Sequence, residues 1–215
     1  MKDWASDHPK AKAMAKRRGA ILDAARLCFI RTGYAGTSMD AIAEAAGISL
    51  MTLYRHAESK DDLFAATVSD ACRARDDQER QYFESLLDLP FRELLLTSAL
   101  HMRDKIMKPD TVALMRLVIA EATAFPHLLA LAHDGFVAHF ESLAREIIET
   151  KSEAPKETVA VAARCYIDCL LGADVLRILL GRPRSSALDE RHKADMAADV
   201  VLRILAVQDN GQIKT

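Results

Sequence analysis

The spacing of caps between Thr37 and Lys60 leaves that stretch one economical fold, two short helices meeting at a sharp turn. Ser38 stands where a hydroxyl can accept an orphan amide at a helix start, and Asp40 just inside complements the positive end of the helix dipole. Gly47 ends this helix, because glycine enters the left-handed region without steric cost, and Ser49 two residues later can cap the next. Ile42, Ala43 and Ala46 form an inward stripe on the first helix and Leu53 anchors the second, leaving Leu50, Met51, Thr52, Tyr54 and Arg55 facing outward. A helix presented in this way fits the major groove, so the stretch predicts a helix-turn-helix and duplex DNA as a partner.

Charge is distributed as that prediction requires. The formal net charge is −2, yet residues 1–60 hold 10 Lys and Arg against 6 Asp and Glu, while the remainder holds 19 against 25. A basic head on an acidic body suits a DNA reader, although this excess alone is common on solvated faces. With 215 residues, half of them hydrophobic, the chain has material for one or two domains with a substantial core.

Apolar residues recur at spacings of three and four from end to end, and no stretch alternates like a strand, so the fold class expected is all-α. Breaks at Gly33, Gly47, Ser59, Leu89-Pro90, Lys108-Pro109, Phe125-Pro126, Ala154-Pro155 and Gly181-x-Pro183 divide it into about nine helices. The expected domains are residues 10–60, a three-helix DNA-binding domain, and residues 61–207, a larger helical domain. Polar, aperiodic ends before about residue 10 and after about residue 207 predict fraying. Ser59 and Asp62 start a helix with the stripe Leu63, Phe64, Thr67, Val68 and Ala71, which links the two halves. The helices expected over Lys156–Leu180 and Ala187–Val207 are the most apolar. Ala160, Ala163, Ile167, Leu170, Leu171 and Leu179 spread over more than one face of the first, which suggests a partner subunit, and Asp199 with Arg203 marks the solvated side of the second.

The run Gly47-Ile48-Ser49-x-x-Thr52-Leu53-Tyr54-x-His56-x-x-Ser59-Lys60-x-x-Leu63, preceded by Gly33-Tyr34-x-Gly36-Thr37-Ser38, resembles the signature of the TetR/AcrR family of bacterial transcriptional regulators. The specific resemblance covers about a quarter of the chain. Met51 and Ala57 depart from it, standing where that family often has glycine and usually an aromatic. Residues 116–126, from Arg116 through Glu121 to Phe125-Pro126, are similar to a form found in the AefR-like branch. The resemblance implies nine or ten helices, a role for residues 61–207 in ligand binding and dimerisation, a homodimer paired through the last two helices, and release from a pseudo-palindromic operator by a small effector. It also implies that the fourth helix touches the DNA backbone at its first turn and transmits ligand state.

Arg17, Arg18, Thr37, Ser38, Tyr54 and Lys60 carry the cations and hydroxyls that hold phosphates; Ser49, Leu50, Met51, Thr52, Arg55 and His56 complete the expected DNA-facing set. Arg55 can fork onto a guanine edge, whereas the apolar members meet thymine methyls, so specificity is expected to lean on methyl contacts and DNA shape. Met102, Met115, Ile119, Ala122, Phe136, Val137, Phe140 and Tyr166 are the candidate walls of a largely apolar effector pocket. Each of them also reads as plain core. Arg116, Glu121, His101 and His133 are the polar candidates there, with Glu121 expected to pair with Arg116.

Other classes find little support. There is no phosphate-cradling glycine loop, nucleophile elbow or recognisable carboxylate pair, so no enzyme is expected and a small helical enzyme is the remote alternative. The nearer alternative is a dimer of the same fold that binds DNA or protein without a small ligand. His133 and His139, six apart, cannot share a helical face as metal ligands, and neither metal nor cofactor is expected. Cys28, Cys72, Cys165 and Cys169 are few and lack zinc spacing, so they read as reduced core thiols, and for Cys165 and Cys169, four apart, Cβ atoms about 5–6 Å apart exceed disulfide reach. The basic N-terminus is followed by no apolar leader, and charges interrupt Val159–Leu180, so a cytoplasmic protein without a membrane span is expected.

Overall fold

The computed structural model describes residues 9–72 and 76–211, with side chains over 13–72 and 81–206. The described residues contain no strand. The helices are α1 (Pro9–Gly36), α2 (Met39–Ala45), α3 (Leu50–Tyr54), α4 (Lys60–Cys72), α5 (Asp76–Leu86), α6 (Phe91–Ile106), α7 (Pro109–Ala120), α8 (Pro126–His133), α9 (His139–Glu149), α10 (Lys156–Leu179) and α11 (Ala187–Gly211). The expected breaks fall where the sequence places them. Three departures were not signalled: the division of the stretch after Ser59 into α4 and α5, a π-helical turn over Asp134–Ala138, and an interruption of α10 at Gly172. Residues 208–211 continue α11 despite their polarity, contrary to the expected fraying, because a helix already nucleated by packing adds residues cheaply. The rest of that expectation, at residues 1–8 and 212–215, lies outside the described residues.

The chain forms two compact units, residues 1–72 with 113–132, and 73–112 with 133–215. In the first, α1 packs on α2 and α4, and α2 on α3. Phe29, Ile42, Leu53, Phe64 and Val68 are fully buried, together with Leu128 from α8. Aromatic rings organise this core. Phe64 meets Phe29 at 5.0 Å, Tyr34 at 5.2 Å and Phe125 at 5.6 Å, while Phe125 stands edge-on to Tyr34 at 4.9 Å. Such pairs add about 0.5–1.5 kcal/mol each beyond their buried area.

In the second unit α6 is the central element, packed against α11, α10, α9 and α5. Leu94, Leu95, Ala99 and Met102 are inaccessible, and the Tyr166 hydroxyl donates to the Leu95 carbonyl. Ala194, Ala197 and Ala198 let α11 approach its neighbours closely. Asp199 is held by Arg92 of α6, at 3.2 Å from Nε and 3.1 Å from Nη2, a partner that its local spacing to Arg203 did not reveal. The expectation of four core thiols needs correction. Cys28 is buried and Cys72 half-buried, but Cys169 is exposed because its face of α10 looks outward. Burial pushes the Cys72 thiol up to about 11.

A candidate nucleic-acid interface

The outward helix is built by a chain of caps. Ser38 Oγ accepts from the Ala41 amide at 3.2 Å, and Asp40 sits in the first turn of α2. At its far end Gly47, with φ of 64°, allows the amide of Ile48 to reach the Ala43 carbonyl at 3.0 Å while its own amide bonds Glu44 at 3.0 Å. This crossed pair satisfies carbonyls that the helix end would otherwise orphan. Ser49 then caps α3 through the Thr52 amide at 3.2 Å, its hydroxyl also lying 2.8 Å from that of Thr52. Helix α3 is thus started by a side chain and held from beneath by fully buried Leu53.

Around that anchor Met51 is 70 % exposed and Tyr54 48 %, with Arg55 and His56 also exposed. Met51 and Arg55, four apart, project from the side opposite Leu53. Arg55 caps the C-terminus of α3 and His56 follows it, so both stand at the helix end. Leu50 and Thr52 are half-buried, Leu50 resting on the core. Ala57 is buried and closes the core with a methyl group. Ser38 and Ser49 are exposed as well as capping, and Arg17 and Arg18 are exposed on α1.

Two expected phosphate ligands have other occupations. The Thr37 side chain is buried, its hydroxyl 2.7 Å from the Gly33 carbonyl, 2.8 Å from the Thr32 hydroxyl and 3.3 Å from the Cys28 carbonyl. Gly33 interrupts α1, and the Thr37 amide turns to Tyr34 O, so the Thr37 hydroxyl supplies the donor that the Gly33 carbonyl lacks. Lys60, half-buried, donates to the carbonyls of Tyr34 at 3.0 Å and Thr37 at 3.1 Å, with its ammonium 4.3 Å from the Tyr34 ring centre. It ties the start of α4 to the turn between α1 and α2.

The Tyr34 hydroxyl donates to Asp61. Burial, that hydrogen bond and the charges of Asp61 and Glu121 all raise its pKa above the ordinary phenol value, so the donor stays protonated. Tyr34, Asp61 and Phe125 were not singled out as a group, because a contact across 27 or more residues leaves no periodic trace. Ser59 and Asp62 do cap α4 as their spacing suggested, although Asp62 receives the Ser59 hydroxyl at 2.8 Å.

The candidate ligand residues divide between the units. Met102 and Tyr166 are inaccessible and Phe140 nearly so, while Phe136 and Val137 are half-buried in the π-helical turn. In the other unit Met115 and Ala122 are half-buried and Ile119 is 53 % exposed. His101 stacks on Tyr82 at 4.1 Å. Among the described residues no helix is long and apolar enough to cross a membrane, and no group of three or more His, Cys, Asp or Glu is placed to hold a metal.

Residues 21–67 match the family described as bacterial regulatory proteins of the tetR family, and residues 93–207 match the C-terminal domain of AefR-like transcriptional repressors. The HTH-type transcriptional repressor Rv1474c of Mycobacterium tuberculosis is 27% identical over 173 residues, covering 78% of this chain and 85% of its own. UidR of Escherichia coli, an HTH-type transcriptional regulator, is 27% identical over 178 residues, covering 79% and 87%. A TetR-family regulator from Mesorhizobium loti superposes with a TM-score of 0.78 at 24% identity over 88% of this chain and 96% of its own. The flavonoid-responsive regulator FrrA superposes at 0.63 with 25% identity, covering 88% and 96%.

Proposed function

The chain belongs to the TetR family of bacterial transcriptional regulators, and from that premise we propose that it is a homodimeric repressor released from a pseudo-palindromic operator by a small, largely apolar effector. The observation that carries the DNA half is α3 itself: capped by Ser49, anchored by Leu53, and presenting Met51, Tyr54 and Arg55 to solvent. Arg17 and Arg18 hold phosphates, Ser38 and Ser49 bring backbone amides to the surface, and Arg55 with His56 reads base edges from the helix end. Thr37 and Lys60 act through the turn they fix, with Lys60 lending its positive charge to the nearby phosphates.

Large apolar side chains left uncovered on the last two helices support the dimer. Val161 (54 %), Leu176 (59 %) and Leu180 (74 %) on or just beyond α10 accompany Leu188 (78 %) and Met196 (51 %) on α11. Surfaces of this kind mark interfaces, and a second copy closing on a two-fold axis covers them while presenting two α3 helices to successive major grooves. The relative Rv1474c, named a repressor, and the AefR-like match support the sign of regulation. Met102, Met115, Ile119, Ala122, Phe136, Val137, Phe140 and Tyr166 remain the proposed sources of effector contact.

Effector control has a definite size, since moving operator occupancy from 99:1 to 1:99 requires about 5.5 kcal/mol of differential binding. The test is a thermal-shift screen of flavonoids, the ligand class in FrrA's name, followed by operator binding with each hit. A hit that stabilises the free protein and weakens operator binding supports the proposal, because a ligand favouring one state must show that preference in both measurements. Hits that bind free and DNA-bound protein equally refute release by effector and favour a constitutive DNA-binding dimer.

A further inference from the structure

Helix α10 is not continuous. Gly172 holds φ 35° and ψ −141° within it, a conformation that stops the helical ladder. An unbroken helix would pair the Leu170 carbonyl with the Asp174 amide. With Gly172 so turned, that carbonyl needs another donor, and Arg103 of α6 supplies it through Nη1. The same guanidinium reaches the far side of the break, with Nη2 3.2 Å from Asp174 Oδ2, and forks onto Glu190 of α11 through Nε at 2.6 Å and Nη2 at 2.9 Å. Arg103 is 1 % exposed, Glu190 6 % and Asp174 7 %.

Charge neutralisation alone does not explain Arg103. Asp174 already has Arg177 at 2.9 Å and Lys193, and Glu190 has Arg184 at 3.6 Å. What the other cations do not provide is a planar group with donors on both sides of the break at once. Two residues past Asp174 stands exposed Leu176, and Leu180 caps the helix end.

We infer that Arg103 is a positioning residue that holds α10 broken at Gly172, and so sets the direction in which Leu176 and Leu180 meet a second copy. The second half rests on the homodimer proposed above; the first does not. Loss of the clamp lets the segment close into a continuous helix, returning the Asp174 amide to Leu170.

The test uses the full-length protein with Arg103→Lys, which keeps the charge and loses the fork, and Gly172→Ala, which penalises the positive φ although a Cβ meets nothing within 4 Å. Arg92→Lys is the control, an exposed cation joining the same α6 and α11. Backbone amide exchange reads the break, and sedimentation reads the dimer. Slower exchange over residues 172–176 in both variants, with a dimer dissociation constant raised about tenfold and neither change in Arg92→Lys, is the expected result. Should Arg103→Lys fail to fold, Arg103→Gln combined with Glu190→Gln, which removes both buried charges with the fork, takes its place. Unchanged or faster exchange in the Arg103 variant overturns the clamp, and slower exchange with an unchanged dimer overturns its positioning role. A wild-type protein that is monomeric at every concentration refutes the homodimer and with it the positioning half, while exchange still decides the clamp.

Discussion

Replacing Thr37 by Val separates a structural hydroxyl from a DNA-binding one. The side chain is 4 % exposed, and its hydroxyl donates to the Gly33 carbonyl left without a helical partner by the break in α1. Valine matches the shape and removes the donor, leaving the half-buried Gly33 carbonyl to find another partner, while the exposed Thr32 hydroxyl keeps its bond to the Cys28 carbonyl. Stranding such an acceptor costs about 1–3 kcal/mol. At about 2–4 °C per kcal/mol for a chain of this size, melting should fall by roughly 2–12 °C. The assay pairs a melt followed by circular dichroism with duplex affinity measured well below the transition, where both proteins are folded. The expected outcome is a clear loss of stability with duplex affinity nearly intact. An unchanged melt with weaker binding to every duplex would instead put the hydroxyl on a phosphate and refute the reasoning.

Arg55→Ala should cost about 1–3 kcal/mol at one position of each half-site and relax base preference there, whereas Arg18→Ala should weaken all duplexes alike and reduce the salt slope by about 1; competition and salt titration distinguish them. Leu188→Asp, at a site 78 % exposed, should leave the folded monomer within about 0.5 kcal/mol and shift sedimentation from dimer to monomer, which an unaltered profile would contradict. Although burial opposes it, the hydrogen bond and charge of Arg103, with Arg184, hold the Glu190 carboxyl below its ordinary range. Its stabilising contribution is therefore complete above the unfolded carboxyl value of about 4.3 and is lost as pH falls through the lower folded value, so the wild-type advantage over Glu190→Gln in thermal melts should shrink in acid. Asp174 and Lys193 share this cluster, and titrating both proteins together cancels their contribution to first order.

The parts of the molecule that were legible in the sequence are those governed by local chemistry. Ser38, Gly47 and Ser49 impose caps within three residues of themselves, so the helix-turn-helix could be placed from those positions. Proline and glycine breaks located most helix ends for the same reason. Long-range partners left no such trace. Arg103 and Glu190 are 87 residues apart, and an arginine within a leucine-rich helix reads as an exposed edge until the fold buries it. Thr37 has an occupation that its position did not suggest: beside the turn it reads as a phosphate ligand, while the break at Gly33 engages its hydroxyl. Gly172 gave no warning because its neighbours keep helical spacing on both sides, and the reason for its conformation lies on α6 and α11.

In the proposed repressor, two copies of this chain read a two-fold symmetric duplex through α3. Selection of bound duplexes from a random library by the purified protein, at a stated near-physiological salt concentration, tests it most directly. An inverted repeat whose half-site centres lie about one helical turn apart or slightly more is expected. Recovery of unrelated sequences, bound with steep salt dependence and no shared motif, would contradict it.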